Sequence, residues 1–305
     1  MNRCFVLDIG GTAIKYSVMD EQANVYESGS VPTPRGSREA FLHEIDRLYR
    51  EYGKDCTAMP ISLPGLTDSD RGYMITGGAL QFNAGQPVAA QIEELCGIPV
   101  HLENDGKAAA WAEMESGALQ GIENGAVFII GTGVAGGLVL NGKLFKGRDF
   151  SAGEYSYLNV NDTEWGQLGA MMGFRCSTTG LLGLYRARKE MPEEQELSGR
   201  DFFRAYDEGD PDAVQALETF ARYVAVQLYN LTMLLDAERI AIGGGISNHP
   251  ALVETIRKAY HDIHYDSAFP LDNTPRAEIV KCRYGSEANQ IGALYSWLEY
   301  RRRKQ

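Results

Sequence analysis

The sequence has few cysteines and few positive charges, and each shortage excludes a class of protein. Its five cysteines lie far apart and never form a Cys-x-x-Cys pair, so neither a disulfide framework nor a thiolate zinc site is indicated. The net charge is −12, from 29 basic and 41 acidic residues, which disfavours binding to a phosphate backbone. We therefore expect a protein of the reducing cytoplasm that has no nucleic-acid partner.

Long apolar runs are also missing. No stretch approaches the roughly 18 apolar residues that a membrane span needs. The short apolar stretch near the N-terminus runs straight into a glycine turn, so it is too short for the core of a signal peptide. The length of 305 residues exceeds the usual size of one hydrophobic core, so we expect two domains with a ligand cleft between them and no contact with a membrane.

One pattern occurs twice in the chain. Residues 4–20 read CFVLDIGGTAIKYSVMD, and residues 126–142 read AVFIIGTGVAGGLVLNG. Each run predicts an apolar strand, a glycine-rich turn and a second strand. Because strands alternate with helical patterns in the rest of the chain, the sequence predicts an α/β protein with mixed sheets and two similar halves.

Two further segments have clear local signals. Asp210 and Pro211 predict a helix start, and apolar residues spaced by three and four continue to about Asp236. The segment IPVHLEND predicts a strand that ends at Asn104, followed by an alanine-rich helix. Asn104 is then a helix cap, and Asp105 falls in the first helical turn. Further helices are predicted at 38–52, 88–96, 250–260 and 286–302, and further strands at 58–63, in the segment RIAIGGGIS at 239–247, and at 278–282.

Glycine clusters point to phosphate binding. A polyphosphate needs several N–H donors at close range, and glycine turns allow the approach because no Cβ intervenes. One such turn alone is more typical of an ordinary hairpin. Three of them in this order favour a polyphosphate ligand. They are Gly10, Gly11 and Thr12; Gly131, Thr132 and Gly133; and Gly243, Gly244 and Gly245.

The motifs DIGGT, END, GTGVAGG, GEYSYL and GGGIS, in this order across nearly the whole chain, resemble those of the ROK family of sugar kinases and sugar-responsive repressors. The resemblance implies a two-domain actin-like ATPase fold of the ribonuclease-H-like type, with a first domain at 1–114, a second at 115–286 and a terminal helix at 287–305 that returns to the first. It also implies ATP, with phosphates and adenosine held by Gly10, Gly11, Thr12, Gly131, Thr132, Gly133, Gly244 and Gly245.

Two carboxylates have candidate chemical roles. Asp105 matches the family's catalytic base, a group that accepts the proton of the attacking hydroxyl; the alternative is an anion that only stabilises the first helical turn. Asp8 is a candidate for Mg²⁺ binding, directly or through water, or it stabilises the turn that follows it. Lys15 either reaches a phosphate or lies on a solvated strand face.

The sugar site is implied by the same resemblance. Four residues match sugar-contacting positions of the family, namely Gly65, Asn104, Asp105 and Glu154. Asn83 is a fifth candidate. Its assignment leaves an alternative open, because an ungapped alignment places Phe82 at the family's asparagine position.

Two departures from the family pattern narrow the range of expected substrates. Many members have GEIGH, whose histidine binds zinc and sugar, whereas this chain has GEYSY with Tyr157 at the histidine position. The cysteine-rich loop that follows in those members is reduced here to Cys176, so no structural zinc is expected. Both features are similar to the β-glucoside kinase branch. Tyr157 either leaves room for an aglycone and stacks on it, or packs in the core.

The resemblance implies phosphorylation of the 6-hydroxyl of a glucosyl sugar by ATP and Mg²⁺, with a β-glucoside such as cellobiose favoured. A glucokinase and an N-acetylmannosamine kinase are the alternatives among kinases. A sugar-sensing regulator is a further alternative, although an N-terminal DNA-binding helix pair is not seen before the first hairpin. An actin-like or chaperone-like ATPase shares the phosphate hairpins. The family also implies a homodimer.

Overall fold

The computed structural model of the protein describes residues 2–192, 194–266 and 273–305. These residues form two compact units. The first contains the described residues within Met1–Glu115, Lys146–Ala152 and Glu287–Gln305, and the second contains those within Ser116–Phe145 and Gly153–Ser286. Within the described ranges, no helix is long and apolar enough to cross a membrane.

The strands are β1 (Arg3–Ile9), β2 (Ala13–Asp20), β3 (Val25–Pro32), β4 (Met59–Leu63), β5 (Thr67–Asp68), β6 (Tyr73–Met74), β7 (Val100–Asn104), β8 (Gly125–Ile130), β9 (Val134–Leu140), β10 (Lys143–Phe145), β11 (Arg239–Gly243) and β12 (Glu278–Lys281). The helices are α1 (Arg38–Leu48), α2 (Val88–Cys96), α3 (Asp105–Ser116), α4 (Met172–Arg175), α5 (Thr178–Lys189), α6 (Gly199–Asp207), α7 (Pro211–Leu235), α8 (Pro250–Ile263) and α9 (Ala288–Lys304).

A five-stranded sheet in the order β3-β2-β1-β4-β7 forms the centre of the first unit. β1 and β2 are the antiparallel hairpin predicted from the first glycine turn, and β1, β4 and β7 run parallel. In a parallel set the carboxyl ends of the strands meet at one edge. The register aligns Asp8 with Ser62 and Ser62 with Glu103, so the glycine turn after β1 and the Asn104 end of β7 lie at the same edge.

The second unit repeats this plan. Its sheet has the order β10-β9-β8-β11-β12, in which β8 and β9 form an antiparallel hairpin and β8, β11 and β12 run parallel. α7 packs against this unit's core with the predicted apolar stripe, and its start is capped by Asp210, whose side chain accepts a hydrogen bond from the amide of Asp212. The repeated sequence pattern therefore corresponds to a repeated hairpin and parallel strand pair.

The sequence patterns missed part of the helical structure. α5 and α6 were not predicted, although Ser177 caps the first and Ser198 forms a capping box with Asp201 at the start of the second. α5 contains Gly180 and Gly183, which lower its helix propensity, and α6 has only nine residues. The predicted helix at 38–52 is α1 followed by a π-helical turn at Tyr49–Gly53.

α9 completes the first unit. Its residues Ala293, Leu294 and Trp297 are buried against Cys4 and Val6 of β1. A Cβ at Gly292 would overlap the carbonyl oxygen of Ala108 in α3, so the close approach of these two helices requires glycine at this position.

We predict that Gly292→Ala destabilises the protein by about 2–3 kcal/mol, because the added methyl group forces two backbones apart. Gly183→Ala is the matched control. Gly183 lies on an exposed part of helix α5, and a Cβ there would meet no atom within 4 Å, so alanine adds about 0.5–1 kcal/mol of stability. Urea unfolding followed by circular dichroism measures both changes, and equal midpoints for Gly292→Ala and the parent protein would contradict the prediction.

Candidate active site

The junction between β7 and α3 carries the candidate base. The Asn104 side-chain oxygen accepts a hydrogen bond from the amide of Lys107 at 3.0 Å, which caps α3. Its amide nitrogen donates to the carbonyl of Gly65 and to Oδ1 of Asp105, both at 3.1 Å. The amide of Gly106 also donates to that oxygen at 2.8 Å. The Asp105 carboxylate is therefore held in one orientation at the carboxyl edge of the sheet.

Gly65 is brought against this junction by a tight turn. Its φ of +105° is strained for any residue with a side chain, and a Cβ there would lie 2.5 Å from the carbonyl oxygen of Thr76. The loop that begins at Thr76 also approaches the first glycine turn, where a Cβ on Gly11 would lie 3.1 Å from the Cβ of Ala79. The structure thus brings Gly11, Gly65, Asn104 and Asp105 around one loop of the first unit.

Asn83 belongs to that loop and is fully buried. Neither its amide nitrogen nor its amide oxygen has a hydrogen-bond partner in the described part of the chain. Phe82, the alternative, packs against the ring of Phe41 with a centroid distance of 5.7 Å. Because buried polar groups are almost always partnered, the unpaired amide marks Asn83 as the residue of the two that is suited to a polar ligand.

Asp8 lies beneath the first glycine turn. Its carboxylate accepts hydrogen bonds from the Lys15 ammonium at 3.3 Å and from the Asn289 amide at 3.1 Å. Gly10 lies two residues after Asp8, and its amide donates to the carbonyl of Ala13 at 2.9 Å, which closes the turn. A single carboxylate beside a glycine turn fits Mg²⁺, which keeps several waters and binds one or two protein carboxylates together with the oxygens of a phosphate ligand.

A structural zinc ion needs a cluster of about four N or S ligands. Across the ranges 2–192, 194–266 and 273–305, no group of three or more His, Cys, Asp or Glu side chains is placed to hold an ion. Cys176, the remaining cysteine of the expected zinc loop, is buried, and burial raises the pKa of its thiol to about 12. The expectation of no zinc stays a prediction.

The second glycine turn lines a cavity in the second unit. The cavity has a volume of about 1250 Å³, and its walls include Gly131, Thr132 and Gly245 from the predicted set. Gly133 and Gly244 do not line it. A Cβ on Gly244, which has φ +99°, would overlap the carbonyl group of Ile130, so this glycine lets the third cluster pack against the end of β8.

Sequence reasoning missed the other wall of this cavity. Phe203 of α6 and His249 stack with ring centroids 4.2 Å apart and an interplanar angle of 16°. Both line the cavity together with Arg200 and Arg204 of α6. The capping box at the start of α6 was the available signal for this helix, but no local pattern links it to His249.

The two tyrosines of the GEYSY segment, Tyr155 and Tyr157, differ in burial. Tyr155 is buried and stacks on Phe128 of β8 at 5.3 Å between ring centroids, and burial raises the pKa of its hydroxyl. Tyr157 is 67% exposed, so it does not pack in the core. Ser156 binds the amide and the carbonyl of Val134 at the start of β9. Glu154 lies directly before these residues, in the same turn of the second unit.

A buried polar network adjoins the candidate base. The carboxylate of Glu103, fully buried, accepts a hydrogen bond from the Ser296 hydroxyl at 2.7 Å, and that hydroxyl lies 2.8 Å from Nε2 of His101. Burial disfavours the charged imidazole and lowers the pKa of His101 to about 4. His101 is therefore neutral at pH 7 in the folded protein.

The family model for the ROK family matches residues 4–300. An N-acetyl-D-glucosamine kinase of Vibrio atlanticus is 28% identical over 94% of this chain and 97% of its own length. A beta-glucoside kinase of Listeria innocua is 29% identical over 96% of each chain. The crystal structure of a ROK family glucokinase from Streptomyces griseus in complex with glucose and AMPPNP has a TM-score of 0.82 and 26% identity, and covers 96% of this chain and 98% of that one.

These matches confirm the predicted two-domain actin-like ATPase fold of α/β type. The chain therefore belongs to the ROK family, and its class is that of the sugar kinases.

We predict that His101 makes stability depend on pH. Between about pH 6.5 and about pH 4 the unfolded chain binds a proton that the folded protein does not. The free energy of unfolding thus falls by about 2 kcal/mol between about pH 7.5 and about pH 5 from this group alone. His101→Gln, which keeps a hydrogen-bonding side chain, removes this share of the pH dependence in urea unfolding. His43→Gln, an exposed position on α1, serves as the control, and an unchanged slope for His101→Gln would refute the assignment.

Proposed function

We propose that this protein transfers the γ-phosphoryl group of ATP to the 6-hydroxyl of a glucosyl sugar, with a β-glucoside as the favoured substrate. The observation that carries the proposal is the carboxylate of Asp105, fixed by Asn104 and Gly106 at the edge where the parallel strands end. Phosphoryl transfer asks the protein mainly for positioning and charge stabilisation. One oriented carboxylate beside the acceptor alcohol meets that need.

In this mechanism the sugar hydroxyl oxygen attacks the γ-phosphorus of ATP, its proton passes to Asp105, and the bond from that phosphorus to the β–γ bridging oxygen breaks, so that ADP leaves. Sugar hydroxyls are bound by Asn104, Asn83 and Glu154 and by close backbone approach at Gly65. The buried and unpaired amide of Asn83 supports this, because a hydroxyl supplies both the donor and the acceptor that it lacks.

The nucleotide is assigned to the two glycine turns and to the cavity of the second unit. Gly11 and Thr12 offer backbone donors in the turn that the Gly10 amide closes, and Thr132 and Gly133 offer them in the turn that the Gly131 amide closes by donating to the carbonyl of Gly133 at 2.9 Å. The stacked rings of Phe203 and His249 give the cavity an aromatic wall suited to adenine, with Gly244 and Gly245 nearby. Asp8 would hold Mg²⁺, which neutralises phosphate charge when bound.

The preference for a β-glucoside rests on Tyr157. Its exposed ring occupies the position at which many family members have a histidine, and an exposed aromatic face suits the apolar face of a second sugar or an aryl group. The Listeria relative is a beta-glucoside kinase, whereas the Vibrio relative is an N-acetyl-D-glucosamine kinase. N-acetylglucosamine, glucose and N-acetylmannosamine are therefore the competing substrates. The domain boundaries at 114 and 286, a homodimer and a cytoplasmic location remain predictions.

We predict that Asp105→Asn lowers kcat by about 10³-fold, because the amide cannot accept the proton while its shape is preserved. ATP affinity stays unchanged, since no nucleotide contact is assigned to this side chain. A coupled assay of ADP formation gives kcat, and calorimetry gives the ATP affinity. Asp55→Asn, an exposed carboxylate in the turn before β4, controls for the charge change. Full turnover in Asp105→Asn would exclude the assigned base.

We predict that the protein releases more ADP with cellobiose or an aryl β-glucoside than with glucose, N-acetylglucosamine or N-acetylmannosamine. Tyr157→Ala lowers kcat/KM for the β-glucoside about fivefold and leaves that for glucose unchanged, as loss of one stacking contact implies. Tyr265→Ala removes a similarly exposed ring, 60% accessible, and is the control. Acceptance of free glucose alone would contradict the β-glucoside assignment, and ADP release that ignores every sugar would contradict the kinase assignment.

A further inference from the structure

Lys146 reaches the first unit through a short excursion of the chain. The chain leaves the second unit after Phe145, belongs to the first unit over Lys146–Ala152, and returns to the second at Gly153. The excursion is closed by a hydrogen bond from the amide of Ala152 to the carbonyl of Lys146 at 3.1 Å. Lys146 therefore belongs to the first unit, although it lies more than 40 residues after β7 in the sequence.

The partner of this lysine is the buried carboxylate that precedes Asn104 and Asp105. The Lys146 ammonium lies 2.5 Å from Oε2 of Glu103 and donates to the Ser69 hydroxyl at 2.6 Å. Glu103 is fully buried, and the side chain of Lys146 is 16% exposed. An ionised carboxylate in that surrounding needs a cation or several donors to remain stable.

The Glu103 carboxylate also accepts hydrogen bonds from residues on both sides of Asp105. Its Oε1 accepts a hydrogen bond from the amide of Asn104 at 3.1 Å, and its Oε2 accepts one from the indole of Trp111 in α3 at 3.2 Å. Asn104 precedes the base and Trp111 lies nearly two turns after it. Glu103 therefore fixes the direction in which α3 leaves β7.

The positive charge of Lys146 stabilises the ionised form of the buried Glu103 carboxylate. Burial opposes ionisation of Glu103, but the positive charge of Lys146 and the hydrogen bonds of Lys146 and Ser296 outweigh it, so the pKa of Glu103 lies below its ordinary value. Without Lys146 the carboxylate is left buried with only neutral donors among these partners. It then takes up a proton or draws in water, and either change alters its bonds to Asn104 and Trp111.

We propose that Lys146 is a positioning residue for phosphoryl transfer: through Glu103 it sets the orientation of the β7–α3 junction and so of the Asp105 carboxylate. This inference rests on the proposed role of Asp105 as the base. Lys146 itself contacts neither reactant in this account. A small displacement of a catalytic group lowers the rate far more than it lowers substrate affinity. We therefore expect the loss of Lys146 to lower kcat and to change KM little.

The test compares Lys146→Met with Lys146→Arg and with Lys143→Met, which removes an exposed lysine of β10. Lys146→Met lowers kcat on the order of 100-fold and changes KM for ATP little. Lys146→Arg keeps the charge and restores most of kcat, and Lys143→Met equals the parent protein. The double variant Glu103→Gln with Lys146→Met removes both charges, and its kcat exceeds that of Lys146→Met alone. This variant carries the test if Lys146→Met does not fold.

Hydrogen exchange of the peptide that spans residues 103–107 gives a readout independent of turnover. Lys146→Met accelerates exchange there and Lys143→Met does not. A kcat for Lys146→Met equal to that of Lys143→Met, or unchanged exchange in this peptide, overturns the inference. If the parent protein phosphorylates no sugar, the proposed function fails, and the exchange measurement alone then decides whether Lys146 orders the junction.

Discussion

The side chain of Asn104 ends a strand, begins a helix and orients a carboxylate. Its oxygen caps α3 through Lys107, while its nitrogen bonds to Gly65 and to Asp105. A helix start leaves backbone N–H groups without partners, and here a single amide satisfies one of them and also fixes the next residue. The candidate base is therefore placed by the same interaction that allows α3 to form, so the geometry of the site and the local folding of the chain cannot vary independently.

Features encoded by neighbouring residues could be predicted from the sequence. The two hairpins follow from apolar runs broken by glycines, the long helix α7 from its cap and its periodic stripe, and the strand end at Asn104 from the cap rule. Each of these signals lies within one segment, where period and turn chemistry are decisive. The glycine turns and the position of Asp105 in the first helical turn were found for that reason, whereas the role of Asp105 as a base came from its match to the family pattern.

Features that depend on distant residues could not be predicted. The stack of Phe203 on His249 joins positions 46 residues apart, and the pair of Lys146 with Glu103 joins positions 43 residues apart. No local pattern specifies either pairing, because both result from how separate elements pack. Whether Tyr157 packs in the core also depended on how separate elements pack, and its ring is exposed in the structure.

The terminal helix has a consequence for biosynthesis. α9 covers the face of β1 that carries Cys4 and Val6, yet it follows every other element of the fold in chain order. During translation β1 and β4 emerge early, and their apolar face is covered only after the chain has been made as far as α9, which begins at Ala288. The first unit can therefore complete its native packing only after α9 has left the ribosome, and until then it exposes apolar surface of the kind that promotes aggregation.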